Sequence, residues 1–216
     1  MPKFIKTLLL LIFLLDIAGA AFGQTTLGKG LLAVNFDEKT TLVFYNSPSD
    51  KTPAKRIEFF NDRSISSWNI KSLETHKKWL SPEVLWLDYS PLVFRFKALN
   101  DKWAEVIVNN TTGKSYWIKI NSSMTSLTWQ AFLKEKFGVS RVSKQKIKKS
   151  PSVNSTDLIY EGEDCFQVKS MKGDWIEIFS ADYCDESYTK SKTKIKSGWI
   201  KWRQGNRLLI EYFITS

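Results

Sequence analysis

Histidine occurs once in these 216 residues and cysteine twice. His76, Cys165 and Cys184 lie far apart and lack ligand spacing, so no metal site is expected, and no cofactor. Two cysteines exclude a disulfide-dense scaffold, and ten glycines with six prolines exclude a collagen-like chain. No glycine-rich turn ends in Gly-Lys-Ser/Thr, which removes the phosphate loop. What the chain does have is aromatic: nine Trp, seven Tyr and fourteen Phe, within 43% hydrophobic residues. Such side chains bury enough surface to offset ordering entropy, which excludes intrinsic disorder. The length allows one large β domain or two small ones.

Residues 1–23 read as a secretory signal. Lys3 and Lys6 form a basic start, Leu8 to Leu15 a nearly pure apolar run, and Ala18, Ala20, Ala21 and Gly23 a small-residue end. Ala21 and Gly23 fit a small-x-small cleavage rule, so cleavage is expected after Gly23. The apolar run is interrupted by Asp16 and is short of the roughly twenty residues that span a bilayer, so no membrane span is expected after cleavage. A periplasmic or secreted location follows. Cleavage removes two lysines and one aspartate and lowers the formal net charge from +10 to +9.

Two lysine groups stand out: Lys144, Lys146, Lys148 and Lys149, then Lys190, Lys192, Lys194 and Lys196. An exported protein seldom meets nucleic acid, so no nucleic-acid partner is expected. Both runs read as solvated loops or as attraction to an anionic envelope surface. Cys165 and Cys184, with eighteen residues between them, are expected to oxidise in that compartment. In the loop-entropy account the bridge is worth about 3 kcal/mol.

The rest of the chain contains a diverged repeat. Phe94–Val106 set over Phe166–Ile178 without a gap matches Phe, Lys, Trp and Glu, and keeps apolar or small character elsewhere. Each segment is followed by Trp-Ile-Lys, at Trp117–Lys119 and Trp199–Lys201, and preceded by Ser-Pro-Ser, at Ser47–Ser49 and Ser150–Ser152. Three landmarks in one order imply two copies of one fold unit. Inside the repeat the apolar period is two, as in strands, and Asn109–Lys114 is hairpin chemistry. The second copy's hairpin is longer and carries an acidic-then-basic flap through Asp182, Asp185 and Glu186; the first copy has an insertion at about 61–91. One helix is expected over Trp129–Phe137, capped by Thr128, terminated by Gly138 and packed on the first copy. The polar stretch after Gly138 reads as a linker until Ser150.

The second copy, with Lys172-Gly173-Asp174-Trp175-Ile176-Glu177-Ile178 and then Ser197-Gly198-Trp199-Ile200, resembles the bacterial SH3-like (SH3b) family. The first copy departs from it, with Asn100-Asp101-Lys102 in the turn and Tyr116 in place of the glycine before Trp117. The resemblance implies an all-β fold of two tandem SH3-like small β-barrels joined by one short helix. The expected divisions are 1–23 signal peptide, 24–138 first domain with its insertion and C-terminal helix, and 139–216 second domain. It also implies a non-catalytic binding or targeting module at the cell envelope, with a peptide, peptidoglycan or an envelope protein as partner.

Strand alternation suggests where binding could occur. Ile176 and Ile178 share one face, which leaves Trp175 beside Glu177 on the other. By the same count Trp199 lies with Lys201, Trp103 with Glu105, and Trp117 with Lys119. Each antiparallel hairpin would then offer two Trp, one Glu and one Lys to a peptide. The same residues could instead seal a barrel edge, with Glu and Lys as an ordinary cross-strand pair. A structural accessory of an envelope complex is the alternative function. Enzyme chemistry is not expected: both cysteines follow the single histidine inside the second unit, so a cell-wall cysteine hydrolase lacks its parts, and Glu58, Glu83 and Asp88 carry no signature for a glycosidase.

Overall fold

The computed structural model describes residues 26–89, 91–181 and 194–214. The expected signal segment, Cys184 and the flap residues 182–193 lie outside them. Among the described residues, no helix is long and apolar enough to cross a membrane.

The first half of the chain forms β1 (Gly30–Val34), β2 (Thr41–Tyr45), β3 (Lys55–Asp62), β4 (Ser67–Ile70), the single helical turn α1 (Leu73–His76), β5 (Val84–Leu85) and a 3-10 turn over Leu87–Tyr89. Then come β6 (Leu92–Leu99), β7 (Trp103–Asn109), β8 (Lys114–Lys119), β9 (Met124–Leu127) and helix α2 (Trp129–Lys134). The second half forms β10 (Gly138–Arg141), β11 (Ile147–Lys148), β12 (Asp157–Leu158), β13 (Phe166–Lys172), β14 (Trp175–Ser180), β15 (Gly198–Lys201), the small hairpin β16 (Arg203–Gln204) and β17 (Arg207–Leu208), and β18 (Ile210–Phe213). The protein is nearly all-β.

Its two large sheets follow one path. The first runs β4-β3-β2-β8-β7-β6-β1-β9 and the second β12-β11-β15-β14-β13-β10-β18. Once β4 and the side pairing of β5 on β6 are set aside, each strand of the first sheet has a counterpart in the second, in the same chain order. Register agrees as well. Phe96 faces Val106 and Ala98 faces Glu105, with a bulge between Phe96 and Ala98. Val168 faces Ile178 and Ser170 faces Glu177, with the bulge between Val168 and Ser170. Tyr45 faces Trp117 in one copy and Lys148 faces Trp199 in the other. The repeat read from the landmarks is thus a repeat of hydrogen-bond register.

Both sheets are antiparallel and curl on themselves. The rings of Phe44 on β2 and Phe94 on β6 are 6.0 Å apart although β8 and β7 separate their strands along the sheet. Inner residues Leu32, Phe44, Ile57, Phe94, Val106 and Ile118 close one core. Val139, Ile147, Phe166, Ile176, Ile178 and Ile200 belong to the other. The insertion explains why the first copy carries Tyr116 where the second has Gly198. A Cβ on Gly198 would come within 2.5 Å of Ile147 Cγ2. Tyr116 instead packs 6.4 Å from the Phe44 ring, and Trp79 of the insertion closes over both, at 5.5 Å from Phe44 and 6.1 Å from Tyr116.

Three expectations are corrected. The helix is capped by Thr128 Oγ1, which accepts from Ala131 N at 3.1 Å, as expected. It ends at Lys134, however, and Gly138 is no terminator: it opens β10, where a Cβ would sit 3.1 Å from Cys165 Sγ and 3.3 Å from the Phe213 ring. Nor does α2 pack on the first copy alone. Trp129 Nε1 donates to Leu27 O at 3.2 Å, whereas its ring lies 5.4 Å from Trp202, and Phe132 meets Tyr212 edge-on at 5.1 Å. Finally, the expected linker contributes two strands, β10 and β11, to the second sheet. Val139 and Ile147, 0% and 1% exposed, are apolar anchors in an otherwise polar run, and they pull β10 and β11 into the second sheet.

The halves meet on an apolar seam that holds one buried polar cluster. Glu83, 3% exposed, accepts from Arg95 Nε at 2.5 Å, Asn110 Nδ2 at 2.7 Å and the Tyr212 hydroxyl at 2.6 Å. Leu27, Leu31, Val84 and Val93 of the first half join Trp129 and the second core around it. Burial, and then the Glu83 charge, push the Tyr212 hydroxyl well above its usual range.

Candidate binding face

Around its tryptophans, the central hairpin of each sheet buries one face and leaves the other half-buried, because successive side chains on a strand point to opposite sides. Farther along β7 the second face is covered as well, at Ile107. Ala104, Val106, Ile118, Ile176, Ile178 and Ile200 are at most 1% exposed. Trp103, Trp117, Trp175 and Trp199 are all half-buried on the opposite face. Pairing is antiparallel: Trp103 faces Lys119 and Glu105 faces Trp117, and likewise Trp175 faces Lys201 and Glu177 faces Trp199. All eight sequence-selected residues therefore lie together, four to a unit.

The charges are wired differently from the expectation. Glu105 and Glu177 do not pair with Lys119 and Lys201. Glu105 accepts from Ser115 Oγ at 2.7 Å and lies 3.6 Å from Lys97 Nζ, which also donates to Ser115 Oγ at 2.9 Å. Glu177 accepts from Ser197 Oγ at 2.7 Å, Ser170 Oγ at 2.8 Å and Lys169 Nζ at 3.1 Å. Ser197 first, then Ser170 and Lys169, hold its carboxyl below the usual carboxylate range. Lys97 and Lys169 are the bulge residues, and the bulge turns each toward its glutamate. Sequence reasoning left out Lys97, Lys169, Ser115, Ser170 and Ser197. The lysines coincide in the aligned segments, which was their one available signal.

With the glutamates occupied, Lys201 is left to its tryptophan, with Nζ 5.6 Å from the Trp175 ring centroid. In the first unit Tyr45 joins the face, 5.5 Å and edge-on to Trp103. The corresponding Lys148 pairs with Asp157 at 2.6 Å, and Lys146 reaches the same carboxylate at 2.7 Å. The first lysine group is therefore partly a braced strand rather than a solvated loop. The first face is the more aromatic, the second the more cationic. Such a surface offers ring stacking and cation–π contact, with fixed carboxylates beside it.

The carboxylates named for acid–base chemistry are each tied into the fold. Glu58 binds Lys71 at 2.9 Å and Arg56 at 3.2 Å, Asp88 accepts from Ser67, and Glu83 holds the seam. His76 lies edge-on to Trp79 at 5.6 Å. Cys165 is in a disulfide; Cys184, its expected partner, lies outside the described residues. Comparison with protein-family models, curated proteins and solved structures gives no match.

Proposed function

We propose that this chain is an exported, non-catalytic binding protein with two SH3-like units, each presenting its tryptophan-bearing outer face to a peptide, a wall stem peptide or an envelope protein. One observation carries the reading. The same Trp–Trp–Glu–Lys constellation, with its bracing lysine and serine, stands at matching register in two copies that differ at most other positions. None of the four half-buried indoles belongs to either hydrophobic core, so their recurrence on the outer face fits recognition.

Retention on purified peptidoglycan and pull-down from envelope extract test it, with the wild type beside Trp103→Ala/Trp117→Ala and Trp175→Ala/Trp199→Ala. Binding that falls with either folded double variant supports the face. Binding unchanged in both removes it. The seam through Glu83 and Tyr212 favours a second reading, a rigid spacer in an envelope complex. A stoichiometric protein partner that ignores all four tryptophans supports that one.

A further inference from the structure

The shared strand path is filled at one end in the second unit and open in the first. A pocket of about 300 Å³ enters the first sheet beside the β6–β7 turn. Leu32, Leu99, Ile120 and Met124 form its apolar wall, and Asn100 and Asp101 its polar rim. We propose that this pocket is a binding site for one tryptophan side chain of a partner polypeptide.

The second unit shows what the same place holds when occupied. Ile120 N donates to Lys102 O at 2.9 Å, and Trp202 N donates to Asp174 O at 3.0 Å, so Trp202 stands where Ile120 does. Its ring is 2% exposed, and its Nε1 donates at 2.9 Å to the carbonyl of Gly173, which has the turn position of Asp101. The other walls correspond by register: Leu32 to Val139, Ser126 to Tyr212 and Met124 to Ile210, all from strands that pair alike in the two sheets. Leu99 corresponds to Met171. In the second unit Val139 and Ile210 belong to the same core as Trp202, and Met171 and Tyr212 pack against that core. In the first unit, Ile120 and Ser126 replace an indole and a phenol, and the space they leave is the pocket.

Size and chemistry agree on the occupant. A site of this volume lies at the small end of ligand pockets and suits a single ring system. An indole presents an apolar body to Leu32 and Ile120 and one N–H donor to the polar rim, where Asp101 supplies acceptors and a negative charge. This site is separate from the outer tryptophan faces and stands or falls without them.

The test is a titration of the full chain, labelled with ¹³C at methionine methyls, with N-acetyl-L-tryptophanamide and, separately, N-acetyl-L-leucinamide. Met124 reports the pocket, and Met171 reports its filled counterpart. The expected result is a saturable Met124 shift with the tryptophan amide, none with the leucine amide, no change at Met171, and loss of the shift in Ile120→Trp, which plugs the pocket as Trp202 does. An unmoved Met124, or equal responses to both amides, overturns the site from the wild-type titration alone, whether or not Ile120→Trp folds. An Ile120→Trp protein that folds and still binds overturns it too.

Discussion

Glu83 and Tyr212 lie 129 positions apart and share a 2.6 Å hydrogen bond across the seam between the two sheets. The same carboxylate neutralises Arg95, whose side chain is 10% exposed. Removing one partner of a buried pair strands the other charge, so Glu83→Ala is expected to cost about 3–5 kcal/mol. Tyr212→Phe, which loses one hydrogen bond to a charged group, should cost about 1.5–3 kcal/mol. Calorimetry checks both, with a single transition expected for the wild type. Two independent wild-type transitions would mean that the seam does not couple the units.

Tyr212 also sets an alkaline limit. Burial and then the Glu83 charge raise its hydroxyl above the ordinary value of 10.0. A raised value in the folded state leaves stability intact below the unfolded pKa. Above about pH 10 the unfolded chain releases the proton first, and stability declines. Urea midpoints from about pH 8 to about pH 11 should fall more steeply for the wild type than for Tyr212→Phe. Parallel slopes would contradict the assignment.

At the acid end the bulge cluster matters. Ser197, Ser170 and Lys169 lower the Glu177 carboxyl below its ordinary value of 4.5. A lowered value in the folded state contributes stability above the unfolded pKa, and that stability is lost as pH falls through the folded one. Glu177→Gln should therefore show a shallower acid limb between about pH 5 and about pH 2. Ser197→Ala should lie between Glu177→Gln and the wild type.

Gly198 tests the packing of the second copy. Its missing side chain admits Ile147 Cγ2, which a Cβ would approach to 2.5 Å. Gly198→Ala should lose about 1–3 kcal/mol through overpacking. An unchanged melting temperature would mean that β11 shifts without cost.

Trp202 fills what Ile120 leaves open, and a large buried ring has few substitutes. Trp202→Ala should cost about 3–5 kcal/mol, whereas Ile120→Ala, beside an open pocket, should cost less than half of that. Equal costs would argue that the two ends are packed alike.

The sequence by itself determined whatever depends on short spacing. Alternation of period two set Ile176 and Ile178 against Trp175 and Glu177, Thr128 capped its helix, and the aligned Phe, Lys, Trp and Glu positions marked the duplication, because each rests on neighbours within a few residues. Tertiary structure alone decided the remainder. A two-residue strand such as Ile147–Lys148 is too short to show a period, so only its pairing with β15 and β12 separates it from a linker. The side on which α2 packs is chosen by Trp202 and Tyr212, more than seventy positions downstream, to which no local pattern refers. The glutamate partners followed from a bulge that turns Lys97 and Lys169 off the regular alternation. One mouth is open and the other closed because the volume at a single aligned position, Ile120 against Trp202, is read by walls assembled from three separate strands.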